Sequence, residues 1–162
     1  MYQKLKMKKI WTAALIIPLF FSCSEVMLIG AYNQNVDQTI QSISSDVSTL
    51  FITIEKNIQD NQDYSYAVFR NSYIKIESEI SSCKTIASGI PKYNIIIKQI
   101  DLLSGSVALL EQDHRSGFFD TTKQLTLDQK IKAVEVDRSG INSSIESMLA
   151  LQEGLKREKA DK

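Results

Sequence analysis

Apolar residues recur every third or fourth position along most of this chain. Val36, Ile40, Ile43, Val47, Leu50, Ile54 and Ile58 trace one stripe, with Ser, Asp, Gln and Lys filling the positions between. A repeat near 3.6 paints one face of an amphipathic helix, whereas a half-buried strand alternates by two. Ile and Val also favour strands, so the period decides for helix, and it holds over six turns.

A polar run, Asn57 to Tyr64, reads as the first connection, with Asp63 placed to cap the second helix. The second stripe is Tyr66, Phe69, Tyr73, Ile76, Ile80, Cys83 and Ile86 or Ala87. Ser88-Gly89-Ile90-Pro91 closes it, because Gly89 suits a left-handed C-terminal position and Pro91 can open the next helix. A third helix is expected from Pro91 to about Ser116, with Ile96, Ile97, Ile100, Leu103, Val107 and Leu110 on its apolar side. Gly105 inside it costs up to about 1 kcal/mol relative to alanine and is a candidate for a tight helix crossing. His114 and Arg115 suit a helix C-terminus, and Gly117 ends the helix. Phe118 to Leu125 forms a loop, after which Thr126 and Gln129 match a capping box. The fourth stripe is Leu127, Ile131, Val134, Ile141, Ile145, Met148, Leu149 and Leu155, with Gly140 as an expected interruption.

Four amphipathic stretches with short links predict an all-α fold, an antiparallel four-helix bundle over residues 36–155. The alternative is a three-helix bundle whose last helix is broken. Residues 156–162 are almost wholly polar and are expected to fray.

The chain before residue 36 has a different pattern. Met7-Lys8-Lys9 precedes an apolar run from Ile10 to Phe21, and Ser22 stands directly before Cys23. Basic residues, a short apolar stretch and a small residue at the cut point are the layout of a secretory signal. With cysteine at that point it resembles a bacterial lipoprotein signal: residues 1–22 are removed, and Cys23 carries diacylglycerol and an N-acyl (palmitate-type) lipid. Phe20 and Phe21 depart from the family pattern, and Met7 competes with Met1 as the start. A membrane-spanning helix is the rival reading, since about 20 apolar residues are needed and extending past Cys23 buries Glu25. Plain secretion is the third. Residues 23–35 then form a lipidated cysteine and short tether. By resemblance to the enterobacterial sorting rule, Ser24 favours the outer membrane over the inner one, on its periplasmic face.

Charge follows the same division. The sequence has 19 basic and 19 acidic residues, but four lysines and no acids precede Cys23, so the remainder carries about −4. A mildly acidic body disfavours nucleic acid, which needs clustered Lys and Arg. Of two cysteines, lipidation of Cys23 leaves Cys83 alone, so no internal disulfide forms; Cys83 lies on an apolar stripe and reads as core.

Catalytic patterns are sparse. Glu111-Gln112-Asp113-His114 places a carboxylate and an imidazole on one helical face, as bundles that bind two metal ions do, but those need two such pairs, and this chain has one histidine. No glycine-rich phosphate loop, cysteine–histidine cluster or calcium-loop spacing is present. The expectation is a non-enzyme with no cofactor beyond the lipid and no metal. Tyr64, Tyr66, Phe69 and Tyr73 form an aromatic group at helical spacing. Tyr64 and Tyr66, with the loop residues Phe118 and Phe119, are the candidates for a partner-binding patch.

From Ala31 to Lys156 the chain resembles a family of uncharacterised helical lipoproteins of Gram-negative bacteria. The residues that carry this are Pro91-Lys92-Tyr93-Asn94, Gln99-Ile100-Asp101-Leu102-Leu103, Leu110-Glu111 with His114 and Gly117, and the closing Ala150-Leu151-Gln152-Glu153-Gly154-Leu155-Lys156. The family pattern is similar to Pro-Lys-Asn, Gln-Ile-x-Leu-Leu, Leu-Glu-x-x-His-x-x-Gly, and Tyr93 is an insertion in it. The resemblance implies an anchored envelope protein and singles out Glu111, His114 and Gly117, which a structural cap at the third helix end explains. The expected role is a non-enzymatic binding or scaffold component that meets another envelope protein. The alternatives are a lysis, entry-exclusion or phage-defence lipoprotein, and a small-ligand or metal carrier.

Overall fold

The structure is a computed structural model that describes residues 30–117 and 125–160. It contains four helices: α1 (Gln34–Gln59), α2 (Tyr66–Ser88), α3 (Asn94–Arg115) and α4 (Leu127–Ala160). Each packs on two neighbours in the order α1, α2, α3, α4 and back to α1, which is an antiparallel four-helix bundle. The alternative with a broken last helix is ruled out, because α4 runs unbroken through Gly140. No helix among the described residues is long and apolar enough to cross a membrane.

The stripes converge. Every position from Val36 to Ile58 in the first stripe is buried, as are Phe69, Tyr73, Ile76, Ile80, Cys83 and Ala87 from the second. Ile96, Ile100, Leu103, Val107 and Leu110 meet them from α3, and Val134, Ile141, Ile145, Met148 and Leu155 from α4. Leu127 is the exception: it sits half exposed at the first residue of α4.

Helix ends depend on local chemistry. The Asn33 side chain accepts from the Val36 N–H, capping α1. At its other end Asn61 takes a positive φ of 51° while Gln62 N–H reaches the Asn57 carbonyl and Asn61 N–H the Ile58 carbonyl. That is a Schellman closure with asparagine in the left-handed position. Asp63 does not cap α2; Ser65 occupies that position, and the Asp63 carboxylate holds the Ser65 N–H one step earlier, which lowers its pKa. Thr126 and Gln129 make the expected reciprocal box, at 2.9 and 3.3 Å.

The turn between α2 and α3 differs from expectation. Gly89 is right-handed (φ −80°), and Lys92 supplies the positive φ, 66°. α3 starts at Asn94 rather than Pro91. The cause is Tyr93, which is 1% exposed and donates its hydroxyl to the Ala31 carbonyl at 2.7 Å. Burying that ring requires the chain to turn before it. Gly30 passes so close that a Cβ there would lie 2.4 Å from the Pro91 carbonyl oxygen and 2.5 Å from the Tyr93 ring. The segment expected as a short tether is docked onto the bundle from Gly30 onward, and α1 begins within it, at Gln34.

Two further expectations fail. Gly105 marks no crossing inside the bundle, since a Cβ there would meet nothing within 4 Å. Residues 156–160 remain helical, with Leu155 buried and Lys159 Nζ 5.7 Å from the centre of the Tyr32 ring.

Candidate functional site

The bundle has two distinct ends. Gly30, the α2–α3 turn and the end of α4 share the near end; the α1–α2 connection, Ser116 and Thr126 share the far end. Tyr64, Tyr66, Glu111, His114 and Gly117 all come to the far end. Cys23, Phe118 and Phe119 lie outside the described residues.

His114 ends the buried stripe of α3 and is only 3% exposed. Its Nε2 is 2.7 Å from the Tyr64 carbonyl, and its Nδ1 is 2.9 Å from the Tyr73 hydroxyl. A carbonyl can only accept, so Nε2 carries a hydrogen, while Nδ1 and the Tyr73 hydroxyl share the second hydrogen bond. The Tyr66, Phe69 and Tyr73 rings pack around it at 5.5 to 6.1 Å between centres. Burial raises the Tyr73 phenol well above its ordinary value, so it keeps its hydrogen. With both ring nitrogens engaged, His114 must lose a hydrogen bond before it can bind a metal or abstract a proton.

Glu111, one turn earlier, is largely covered by its partners, with only a small part of its side chain open to solvent. Its Oε1 accepts from the Tyr66 hydroxyl at 2.6 Å and from Arg115 at 2.7 Å. The Arg115 guanidinium also donates to the Tyr66 oxygen at 2.8 Å and stands 4.7 Å over that ring's centre. The Tyr66 hydrogen bond holds the Glu111 carboxyl below its ordinary pKa, helped by Glu77 and Arg115. Glu77 moves the other way, raised first by burial and then by its hydrogen bond to Glu111. Tyr64 is buried, so its ring presents little surface; Lys130 of α4 donates to its hydroxyl at 2.8 Å. Tyr66 is half buried and Arg115 is open to solvent. Gly117 turns the chain with φ 75°, its N–H on the His114 carbonyl.

The Glu-x-x-His spacing therefore splits into two jobs: His114 joins α3 to the entry of α2, and Glu111 orders a half-buried tyrosine beside an exposed arginine. Among the described residues no group of three His, Cys, Asp or Glu side chains could hold a metal ion. Lys130 and Arg115 as partners of the two tyrosines were missed in the sequence, because the contacts join positions 66 and 49 residues apart. Gln152 was missed too: it is fully buried, with neither amide atom hydrogen-bonded, close to the Tyr93 hydroxyl. Nothing in a single polar residue on an apolar stripe signals that. Cys83 is buried, which pushes its thiol up to about 11 and leaves it an unreactive part of the core.

No protein-family model, curated protein or solved structure matches this chain at a significant level.

Proposed function

We propose that this chain is a lipoprotein of the outer membrane, facing the periplasm, whose helical body is a non-enzymatic binding or scaffold component of an envelope assembly. Lipid on Cys23 is its anchor, and its partner is another envelope protein. One observation carries the reading. The chain enters the bundle at the near end, where Gly30 docks, while the ordered tyrosine–arginine–glutamate group lies at the opposite end. A helix the length of α1, 26 residues, separates the two ends by about 39 Å. A bundle tethered at one end thus presents Tyr66 and Arg115, residue types enriched at binding hot spots, at the end furthest from the tether.

Intact mass spectrometry of the membrane fraction tests the anchor. The expected species lacks the first 22 residues and carries acyl chains on Cys23; an unmodified Cys23 behind an intact N-terminus overturns it. A photo-crosslinking residue at Tyr66 tests the binding end. It is expected to capture a second polypeptide that the same residue at Ser88, on the near end, does not.

A further inference from the structure

Two large apolar side chains on α3 project away from the core, Leu102 (69% exposed) and Leu109 (64%). They stand two helical turns apart, so they lie on one line along the helix. Between them is Gly105, where an added Cβ would have open space around it. Glycine in an exposed helix interior costs about 1 kcal/mol against alanine, and no contact inside the bundle requires it here. Val136 of α4, 71% exposed, borders the same line across a groove of about 300 Å³. Lys98 and Asp113 flank the leucines at the two ends, and among the described residues neither has an ion-pair partner.

We propose that this face of α3 pairs antiparallel with α3 of a second copy of the chain, about a two-fold axis passing by Gly105. In that register Leu102 of each copy meets Leu109 of the other, and Lys98 of each meets Asp113 of the other. Two-fold symmetry makes each contact twice and closes the assembly at two copies. Gly105 at the axis lets the two backbones approach, as small residues do wherever helices cross closely. The charges select this occupant and this direction: a parallel pairing sets Lys98 against Lys98, and only the antiparallel one places both lysines on aspartates. The pairing is independent of the lipid anchor.

The test uses the full chain in whichever fraction of the cell it is recovered. Gly105→Cys places a thiol at the axis, and Ser45→Cys places one on α1, diagonally across the bundle. Mild oxidation is expected to give a disulfide dimer several-fold more abundant for Gly105→Cys than for Ser45→Cys; equal yields overturn the proposal. Adding Lys98→Asp to Gly105→Cys should cut the yield about tenfold, and adding Asp113→Lys as well should restore it. Failure of the double reversal to restore crosslinking overturns the register. Leu102→Glu with Leu109→Glu should give a single-copy native mass in detergent where the unaltered chain gives two. Circular dichroism confirms that the helices persist, since both positions are exposed. A single-copy mass for the unaltered chain overturns the pairing.

Discussion

The two ends of the bundle are closed by different physics. At the near end the fit is steric: Gly30 slips under Pro91 and Tyr93 with no room for a methyl group, and Tyr93 is buried against it. At the far end the closure is polar: His114 ties the Tyr64 carbonyl to the Tyr73 hydroxyl, and Glu111 gathers Tyr66 and Arg115. A steric seal tolerates no added volume and is indifferent to pH. A polar one tolerates small changes of shape and is sensitive to every lost partner and to ionisation.

The largest expected effect is at the near end. Tyr93→Ala removes a fully buried ring and should destabilise the bundle by about 3–5 kcal/mol, read as a lower midpoint in urea with an unchanged slope. A loss under about 1 kcal/mol would mean that the near end does not close on this ring. His114→Ala, at the far end, leaves a buried carbonyl and a buried hydroxyl without partners and should cost about 2–3 kcal/mol by the same measurement. If Tyr73→Phe in the His114→Ala background costs as much as it does alone, the two side chains are not coupled, and the polar account fails. Gly30→Ala should cost about 1–2 kcal/mol, because a backbone carbonyl and a rigid ring must both give way; no loss would show that the entering segment is not seated.

The smallest effect is a matter of pH. Glu77, Glu79 and Asp137 all have raised pKa values, with burial the first cause in each; Glu111, Asp46 and Asp113 respectively add to it. A carboxyl raised in the folded state binds its proton more tightly there, so its contribution is full below the ordinary carboxylate value near 4. That contribution is lost as pH rises through the folded value. Glu111 and Asp63 act oppositely: their lowered values add stability above the ordinary range that is lost on acidification. Thermal melting is therefore expected to rise modestly as pH falls from neutral toward the ordinary carboxylate range and to fall again below it. Glu79→Gln should mimic the protonated state, raising the neutral-pH midpoint by about 2–4 °C and flattening the acid rise. An unchanged profile would remove Glu79 from that account.

Comparing the ends also explains what the sequence could convey. The helices and their buried faces were legible because a repeating apolar stripe is a local signal, and the Thr126–Gln129 box spans only three residues. The near-end turn was misread for a physical reason. Gly89 and Pro91 carry strong local signals, yet burial of Tyr93 against Gly30, a contact across about 60 residues, overrides them. Gly140 misled for the opposite reason: one glycine within a helix held by Ile141, Ile145 and Met148 costs less than that packing provides. At the candidate site Glu111 and His114 were visible through their spacing. Their partners were not, since Tyr64 and Tyr73 join His114 from another helix and its connection.

The unbroken α4 has a mechanical consequence. Lys130 grips Tyr64 at one end of the molecule and Lys159 covers Tyr32 at the other, so a single rod of 34 residues runs the whole distance between them. Tension applied between Gly30 and the opposite pole loads α1 lengthwise along that rod. Sliding then has to break the interlocked rows of side chains together rather than peel them apart one turn at a time.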